Sequence, residues 1–139
     1  MEMFGRRFSY FFLILLLSFS CASKEQQAQK HFKKGFEYHN QGLVDQALGE
    51  YQQALKLNPN FIEAYMNLGA IYVGKKDYDQ AIQQFKKVVE LNYYNTKGHY
   101  NLGMVYVYGG DKEKAEAELK ILKSFGSELA DNLEKKIAE

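Results

Sequence analysis

The stretch that decides the fold is residues 65–88, YMNLGAIYVGKKDYDQAIQQFKKV. It begins with apolar residues three and four positions apart, the spacing that places side chains on one face of an α-helix. A Gly-Lys-Lys-Asp sequence interrupts the pattern at 74–77, and a second set of apolar residues with the same spacing follows it. Gly, Lys and Asp between two periodic segments are typical of a turn. The stretch therefore predicts two helices joined by a short turn.

The same pattern recurs 34 residues upstream and 34 residues downstream. Residues of one kind hold this interval in several registers: Gly35, Gly69 and Gly103; Tyr38, Tyr72 and Tyr106; Ala47, Ala81 and Ala115; Tyr51, Phe85 and Leu119; Ala54, Val88 and Leu122. We predict helices at about 25–40, 44–57, 61–74, 78–91, 95–108, 112–124 and 127–138. The chain is therefore expected to consist of three helical hairpins and one further helix.

This 34-residue period resembles the tetratricopeptide repeat, whose pattern is Leu-Gly-x-x-Tyr, a later Ala, an aromatic residue and a Pro near the end. The middle repeat carries the resemblance best, with Leu68-Gly69, Tyr72, Ala81 and Phe85. The departures are Lys34 at a Leu position, and Tyr93 and Ser127 at the position that holds Pro59 in the first repeat. The resemblance implies an all-α, right-handed α-solenoid of three helix-turn-helix repeats at 28–61, 62–95 and 96–129, with a capping helix at 127–139.

Small residues in fixed registers predict close contacts between helices. A glycine at 35, 69 or 103 would let the first helix of a repeat approach its partner closely, where a larger side chain would hold them apart. For the capping helix, Ser127 is a suitable N-cap residue. Leu129, Leu133 and Ile137 are spaced to cover the last repeat, with charged residues on the other face. A polar outer face is what the end of a repeat array needs for solubility.

The first twenty residues predict an export signal rather than part of the fold. Arg6 and Arg7 precede an apolar run from Phe8 to Phe19, which matches the basic and apolar regions of a secretory signal peptide. The run is shorter than the ~20 apolar residues that cross a bilayer as a helix. An uncleaved anchor extending to Ala22 is the alternative.

Cys21, the single cysteine of the chain, directly follows this run. Residues 17–21, LSFSC, resemble the lipobox of bacterial lipoproteins, which implies that Cys21 becomes the lipidated first residue of the mature protein. A chance cysteine is the alternative. The resemblance implies a membrane-anchored lipoprotein, with the outer membrane facing the periplasm favoured by Ala22 and Ser23, or else a soluble periplasmic or secreted protein. Residues 21–27 would then form a short linker, whose six residues after Cys21 reach ~20 Å at most when extended.

Charge and motifs argue against several functions. Removal of residues 1–20 leaves 16 basic and 16 acidic side chains, because Arg6, Arg7 and Glu2 lie in that segment. A neutral domain lacks the basic face expected of a nucleic-acid-binding protein. His31, His39 and His99 lack the spacing of a metal site, and no catalytic or phosphate-loop motif is present. We therefore expect no metal, no cofactor and no catalytic residues.

The tetratricopeptide resemblance implies a groove lined by the first helix of each repeat. Its partner-binding positions correspond here to Phe32, Lys33, Phe36, Met66, Asn67, Ala70, Val73, Lys97, Tyr100, Asn101, Met104 and Tyr108. Asn67 and Asn101 stand one repeat apart, where carboxamides can bond to a partner's backbone; simple consensus drift is the alternative. The aromatic and methionine positions would form an interaction patch if exposed, unless neighbouring helices bury half of them.

These observations favour a membrane-tethered scaffold that binds a peptide or protein partner in the bacterial envelope. The alternative is a self-associating structural protein, a homodimer formed through the aromatic groove. Some related domains grip the C-terminal carboxylate of a peptide with a clamp of Lys, Asn and Arg. Phe32 and Phe36 occupy its first Lys and Asn positions, so that ligand is not expected.

Overall fold

The computed structural model describes residues 23–139, in which every regular element is an α-helix. The helices are α1 (residues 23–40), α2 (Val44–Leu57), α3 (Ile62–Gly74), α4 (Tyr78–Leu91), α5 (Thr96–Tyr108), α6 (Lys112–Ser124) and α7 (Leu129–Ala138). The chain divides into two compact units between Pro59 and Asn60, with α1 and α2 in the first and α3 to α7 in the second. The predicted signal peptide and Cys21 lie outside the described residues. The predicted all-α architecture of helical hairpins is confirmed.

Helix bounds agree with the prediction to within two residues for α1 to α7. The main difference lies at residues 23–27, which were expected in a linker and are helical. This Ser-Lys-Glu-Gln-Gln segment contains no helix breaker, and Asn58 donates a hydrogen bond to Glu25 at 2.9 Å. Because a helix advances only ~1.5 Å per residue, these residues span less than the ~20 Å that the linker could reach at most when extended. No helix within residues 23–139 has the length and hydrophobicity that spanning a membrane requires.

The turns inside the three hairpins share one backbone conformation. Gly42, Lys76 and Gly110 stand in register and have φ angles of 75°, 58° and 79°. This left-handed conformation is open to glycine and strained for most other residues. Asp77 and Asp111 then accept a hydrogen bond from the backbone N–H three residues later, which caps α4 and α6.

The capping helix begins later than predicted. Ser127 is not its N-cap residue: α7 starts at Leu129 and its N-cap is Glu128. The Ser127 hydroxyl accepts a hydrogen bond from the Leu129 backbone N–H at 3.3 Å, so it still occupies one of the free donors at the helix start. The predicted contact face is confirmed: Leu133 is fully buried, and Leu129 and Ile137 are half-buried.

Each first helix of a repeat has a glycine against which a large side chain packs. A Cβ on Gly35 would lie 2.9 Å from the Tyr51 ring, and a Cβ on Gly69 would lie 2.6 Å from the Phe85 ring. The third repeat has Leu119 where the others have a ring. There a Cβ on Gly103 would instead lie 2.6 Å from Leu133 of α7. The capping helix therefore supplies the side chain that packs against Gly103.

The Gly69 contact predicts a contrast between two glycine substitutions. Gly69→Ala forces a methyl group into the Phe85 ring, whereas Gly49→Ala in α2 meets no atom within 4 Å. Both substitutions gain ~1 kcal/mol of helix propensity, so overpacking should make Gly69→Ala less stable than Gly49→Ala by about 1–3 kcal/mol. Urea unfolding followed by circular dichroism measures the difference, and equal stabilities would contradict the predicted contact.

The Tyr51 hydroxyl is fully buried with no hydrogen-bond partner among the described residues, and burial raises the pKa of Tyr51. Tyr51→Phe, which copies Phe85 of the next repeat, should leave stability unchanged or raise it by about 1 kcal/mol at neutral pH.

The alkaline limb of the stability profile provides a second measurement on this variant. Because the pKa of Tyr51 lies above its value of about 10 in the unfolded chain, the unfolded state loses its proton first. Wild-type stability should therefore fall as pH rises from about 10 through the folded-state pKa, and Tyr51→Phe should fall less. Tyr106, whose pKa burial also raises, remains in both proteins. Parallel profiles would show that the hydroxyl is solvated.

Candidate protein-interaction surface

In the first unit, the predicted surface residues lie on α1 and differ in exposure. Phe36 is 49% exposed and Lys33 is exposed. Phe32 is half-buried, with its ring centroid 5.6 Å from that of Tyr51. Of the two rings, Phe36 is the one that α1 leaves largely accessible, while Phe32 packs on α2.

In the second unit, α3 presents its predicted residues above the core. Met66 and Val73 are half-buried against a cluster that includes Phe85 and Leu102. Ala70 is exposed, and Asn67 is half-buried between these apolar positions. The α3 surface is therefore a shallow apolar face with one carboxamide in it.

Helix α5 carries the remaining predicted residues. Tyr100 and Met104 are half-buried against the cluster formed by Leu122, Ala130 and Leu133, so α6 and α7 cover part of both side chains. Tyr108 is 43% exposed, and its ring centroid lies 6.0 Å from that of Tyr78. Lys97 is exposed and has no ion pair with a carboxylate in residues 23–139.

The sequence left two possibilities for the six aromatic and methionine residues: an exposed patch, or partial burial by neighbouring helices. They do not form a fully exposed patch. Phe36 and Tyr108 are exposed, whereas the other four are half-buried by side chains of their own unit. The alternative, in which neighbouring helices cover part of the set, describes the structure better. Half-buried rings and thioethers are held in place by the core and still offer one face to a partner.

The two asparagines differ in their hydrogen bonds. The Asn67 amide donates to the Glu63 backbone carbonyl at 2.8 Å, which fixes its side chain on the helix and leaves its carbonyl oxygen available as an acceptor. Asn101, in the same register of α5, is half-buried and forms no hydrogen bond from its side chain within the described part of the chain. Both carboxamides therefore retain hydrogen-bonding capacity towards a ligand.

Two of the three histidines, His31 and His99, contact glutamates at matching positions. His31 Nδ1 lies 2.6 Å from a Glu50 oxygen, and His99 Nδ1 lies 2.6 Å from a Glu118 oxygen. His99 is 2% exposed, and its Nε2 lies 2.8 Å from the Tyr93 carbonyl oxygen. Both ring nitrogens of His99 thus face oxygen acceptors. No three His, Cys, Asp or Glu side chains converge within residues 23–139.

Glu50 has a second partner, the Lys34 ammonium group. Lys34 Nζ lies 2.6 Å from its other oxygen, and this hydrogen bond, followed by the one with His31, lowers the pKa of the Glu50 carboxyl. A carboxyl whose pKa is lowered by folding stabilises the folded state above its unfolded pKa. That contribution is lost as pH falls through the folded-state pKa.

A cluster of rings that the sequence pattern does not predict lies at the α4–α5 and α6–α7 connections. Tyr93, Tyr94, His99 and Phe125 have centroids 5.4 to 5.7 Å apart, mostly in edge-to-face contacts. Tyr93 is 54% exposed and Tyr94 is 75% exposed. The signal was present in the sequence, since a pair of tyrosines stands where the first repeat has Pro59-Asn60.

The His99–Glu118 pair yields a prediction because the middle repeat has Tyr65 and Gln84 in the same register. His99→Tyr alone leaves the Glu118 carboxylate, 13% exposed, without its partner, and should cost about 3 kcal/mol of unfolding free energy. The double variant His99→Tyr/Glu118→Gln copies the middle repeat and should recover most of that loss. Urea denaturation measures both, and a double variant no more stable than the single one would contradict the pairing.

Comparisons with known proteins agree with this architecture. Residues 35–76 match the family described as TPR repeat, and residues 62–92 and 96–120 match families described as Tetratricopeptide repeat. The chain is 38% identical over 52 residues to the Hsp70-Hsp90 organising protein of Plasmodium falciparum, which is 37% of this chain and 9% of that protein. It is 37% identical over 59 residues to the Photosystem I assembly protein Ycf3 of Prochlorococcus marinus, 40% of this chain and 34% of that protein.

Several solved structures of TPR domains have a similar fold. The first TPR of Spaghetti (RPAP3), bound to the HSP90 peptide SRMEEVD, has a TM-score of 0.74 at 23% identity, over 82% of this chain and 92% of that chain. The Arabidopsis OM64 TPR domain has a TM-score of 0.73 at 20% identity, over 83% and 97%. The TPR2B domain of yeast Sti1 in complex with pHsp70 has a TM-score of 0.73 at 17% identity, over 81% and 97%.

Three consecutive family matches, the 34-residue register and the helical hairpins all agree. The chain is a tetratricopeptide repeat protein.

Proposed function

We propose that this chain is a membrane-tethered protein-interaction scaffold of the bacterial envelope, which binds an extended segment of a partner protein along α3 and α5. The observation that carries the proposal is the pair Asn67 and Asn101, which the repeat places at equivalent positions of two successive first helices. Each is half-buried and keeps an unused hydrogen-bonding oxygen.

The surroundings of the two asparagines suit a peptide backbone. An extended segment offers alternating N–H and C=O groups, and a carboxamide can bond to either kind. Met66, Tyr100 and Met104 flank the asparagines with half-buried apolar surface, on which side chains of varied shape can pack. Lys97 adds one exposed cation, which would favour a partner segment with an acidic residue.

The similar domains give this proposal its chemical precedent. One of them is bound to the HSP90 peptide SRMEEVD, and another is in complex with pHsp70. Their sequence identities of 23% and 17% support a common fold. We therefore propose peptide binding by the same kind of surface, with a partner that this chain's own residues select.

The tether is proposed from the sequence of residues 1–21. A basic pair, an apolar run and Cys21 in a lipobox-like context favour export, lipidation of Cys21 and attachment to a membrane, with the outer membrane facing the periplasm as the first choice. Two or more acyl chains anchor a protein stably, because each buried CH₂ contributes ~0.8 kcal/mol. Labelled fatty acid should be incorporated into the wild-type chain and not into Cys21→Ser; equal labelling of the two proteins would rule out lipidation at Cys21.

The binding surface is tested in two steps. A photo-crosslinking residue at Met104 on α5 should capture a partner, while the same residue at Gln83, exposed on α4, should not. The crosslinked segment is then made as a synthetic peptide and titrated against the wild-type chain. Asn67→Ala/Asn101→Ala should weaken binding roughly tenfold, since each neutral hydrogen bond contributes ~0.5–1.5 kcal/mol.

The control for this titration is Asn132→Ala, which removes an exposed asparagine from the outer face of α7. It should bind the peptide like the wild type. Equal affinity of the double variant would place the binding site elsewhere. A crosslink at Met104 to a second copy of this chain, together with a dimer in sedimentation, would favour the self-associating alternative.

A further inference from the structure

One face of α1 differs from the equivalent faces of α3 and α5. Three positions of this face are buried in both later helices: Ala64 and Gly98, Leu68 and Leu102, and Ile71 and Val105. The residues in the same registers of α1 are Lys30, Lys34 and Glu37, and all three are exposed. The face that the other repeats bury is thus a charged surface in the first repeat.

Lysine dominates this surface. Six side chains of α1 line one shallow depression: Gln26, Gln29, Lys30, Lys33, Lys34 and Glu37. Lys34 is held by Glu50, whereas Lys30 and Lys33 form no ion pair within residues 23–139. Glu37 is the one acidic residue among the six. The depression is therefore cationic, although the mature chain as a whole is neutral.

Solubility alone does not explain this bias. The end of a repeat array needs a polar outer face, and a mixture of both charges provides it. The outer face of α7, at the other end of the chain, has such a mixture in Asp131, Asn132, Glu134 and Lys135. The lysine-rich face of α1 exceeds that requirement, and it is on the helix that directly follows the segment proposed to enter the membrane.

We propose that this face of α1 lies against an anionic phospholipid surface, with Lys30 and Lys33 at the headgroup phosphates. The inference rests on the proposed lipid tether. A short tether holds a domain at millimolar effective concentration near its target, so weak contacts suffice to orient it. Residues 23–27 are helical, which keeps α1 close to the anchor. The family resemblance places Lys33 in the partner groove, whereas in this proposal Lys33 contacts the membrane.

The experiment uses the full chain, isolated with its lipid from bacterial membranes and reconstituted into vesicles of phosphatidylcholine with or without phosphatidylglycerol. A fluorophore is attached through Gln29→Cys on the α1 face or, as a control, through Gln83→Cys on α4; both positions are exposed. Lipids with a nitroxide in the headgroup then report which label lies near the surface. Flotation of the vesicles reports the tether separately.

We expect quenching of the label at position 29 and not at 83, on the anionic vesicles alone. The double variant Lys30→Gln/Lys33→Gln should lower the ratio of membrane-facing to averted orientations about thirtyfold. Each lysine near an anionic surface changes this ratio by a factor of roughly five to six, and the two factors multiply. The control Lys86→Gln/Lys120→Gln removes the same charge from exposed positions of α4 and α6 and should leave the quenching unchanged.

Each contrary result overturns a specific statement. A chain that floats without quenching at position 29 rejects the orientation and leaves the tether standing. Equal quenching on phosphatidylcholine, or equal loss in the control variant, shows that Lys30 and Lys33 do not recognise the anionic surface. A chain that fails to float rejects the tether and the orientation together.

Discussion

In each repeat, a glycine on the first helix faces a large side chain. This contact sets the distance between the packed helices, and the other contacts depend on that distance. Gly69 against Phe85 is the clearest instance, because the ring occupies the volume that any Cβ would need. With the helices this close, Ala81 is also excluded from solvent. The first helix then turns its remaining face outwards, and this face carries Met66, Asn67 and Ala70. The candidate binding surface is therefore positioned by a residue that no ligand would touch.

The half-buried state of the surface residues follows from the same geometry. The side chains of Tyr100 and Met104 pack on one side against the cluster of Leu122, Ala130 and Leu133, and on the other side they remain accessible to solvent. Such residues have lost much of their rotamer freedom before a partner arrives, so binding orders fewer side chains. Phe36 and Tyr108, which are more exposed, retain that freedom. Half-buried side chains would therefore contribute more to the affinity for a partner. The more exposed side chains would adjust to the partner's shape.

The sequence predicted the fold well because the fold is periodic. A pattern of small and large residues that recurs every 34 residues predicts the hairpins, the turns and the capping helix. Long-range contacts need not be known for this prediction. The pattern predicts Ser127 as the N-cap residue, and this is wrong because the left-handed Gly126, with a φ of 64°, precedes a turn that delays the helix to Leu129. The exposure of Tyr100 was harder to predict, since it depends on which side chains reach across from α6 and α7. The His99–Glu118 pair, by contrast, was readable, because His31 and Glu50 stand 19 residues apart in the same way.

The packing of Leu133 against Gly103 limits how this array can grow. Leu133 stands in register with Tyr65 and His99, so duplication of a repeat at Gly126 would bring a ring to the place where the leucine now packs. The third repeat has Leu119 in its second helix, where the first two repeats have the ring that packs against the glycine. Leu133 of α7 completes the core of this repeat. Insertion of a further repeat before α7 would therefore remove the side chain that fills the space beside Gly103.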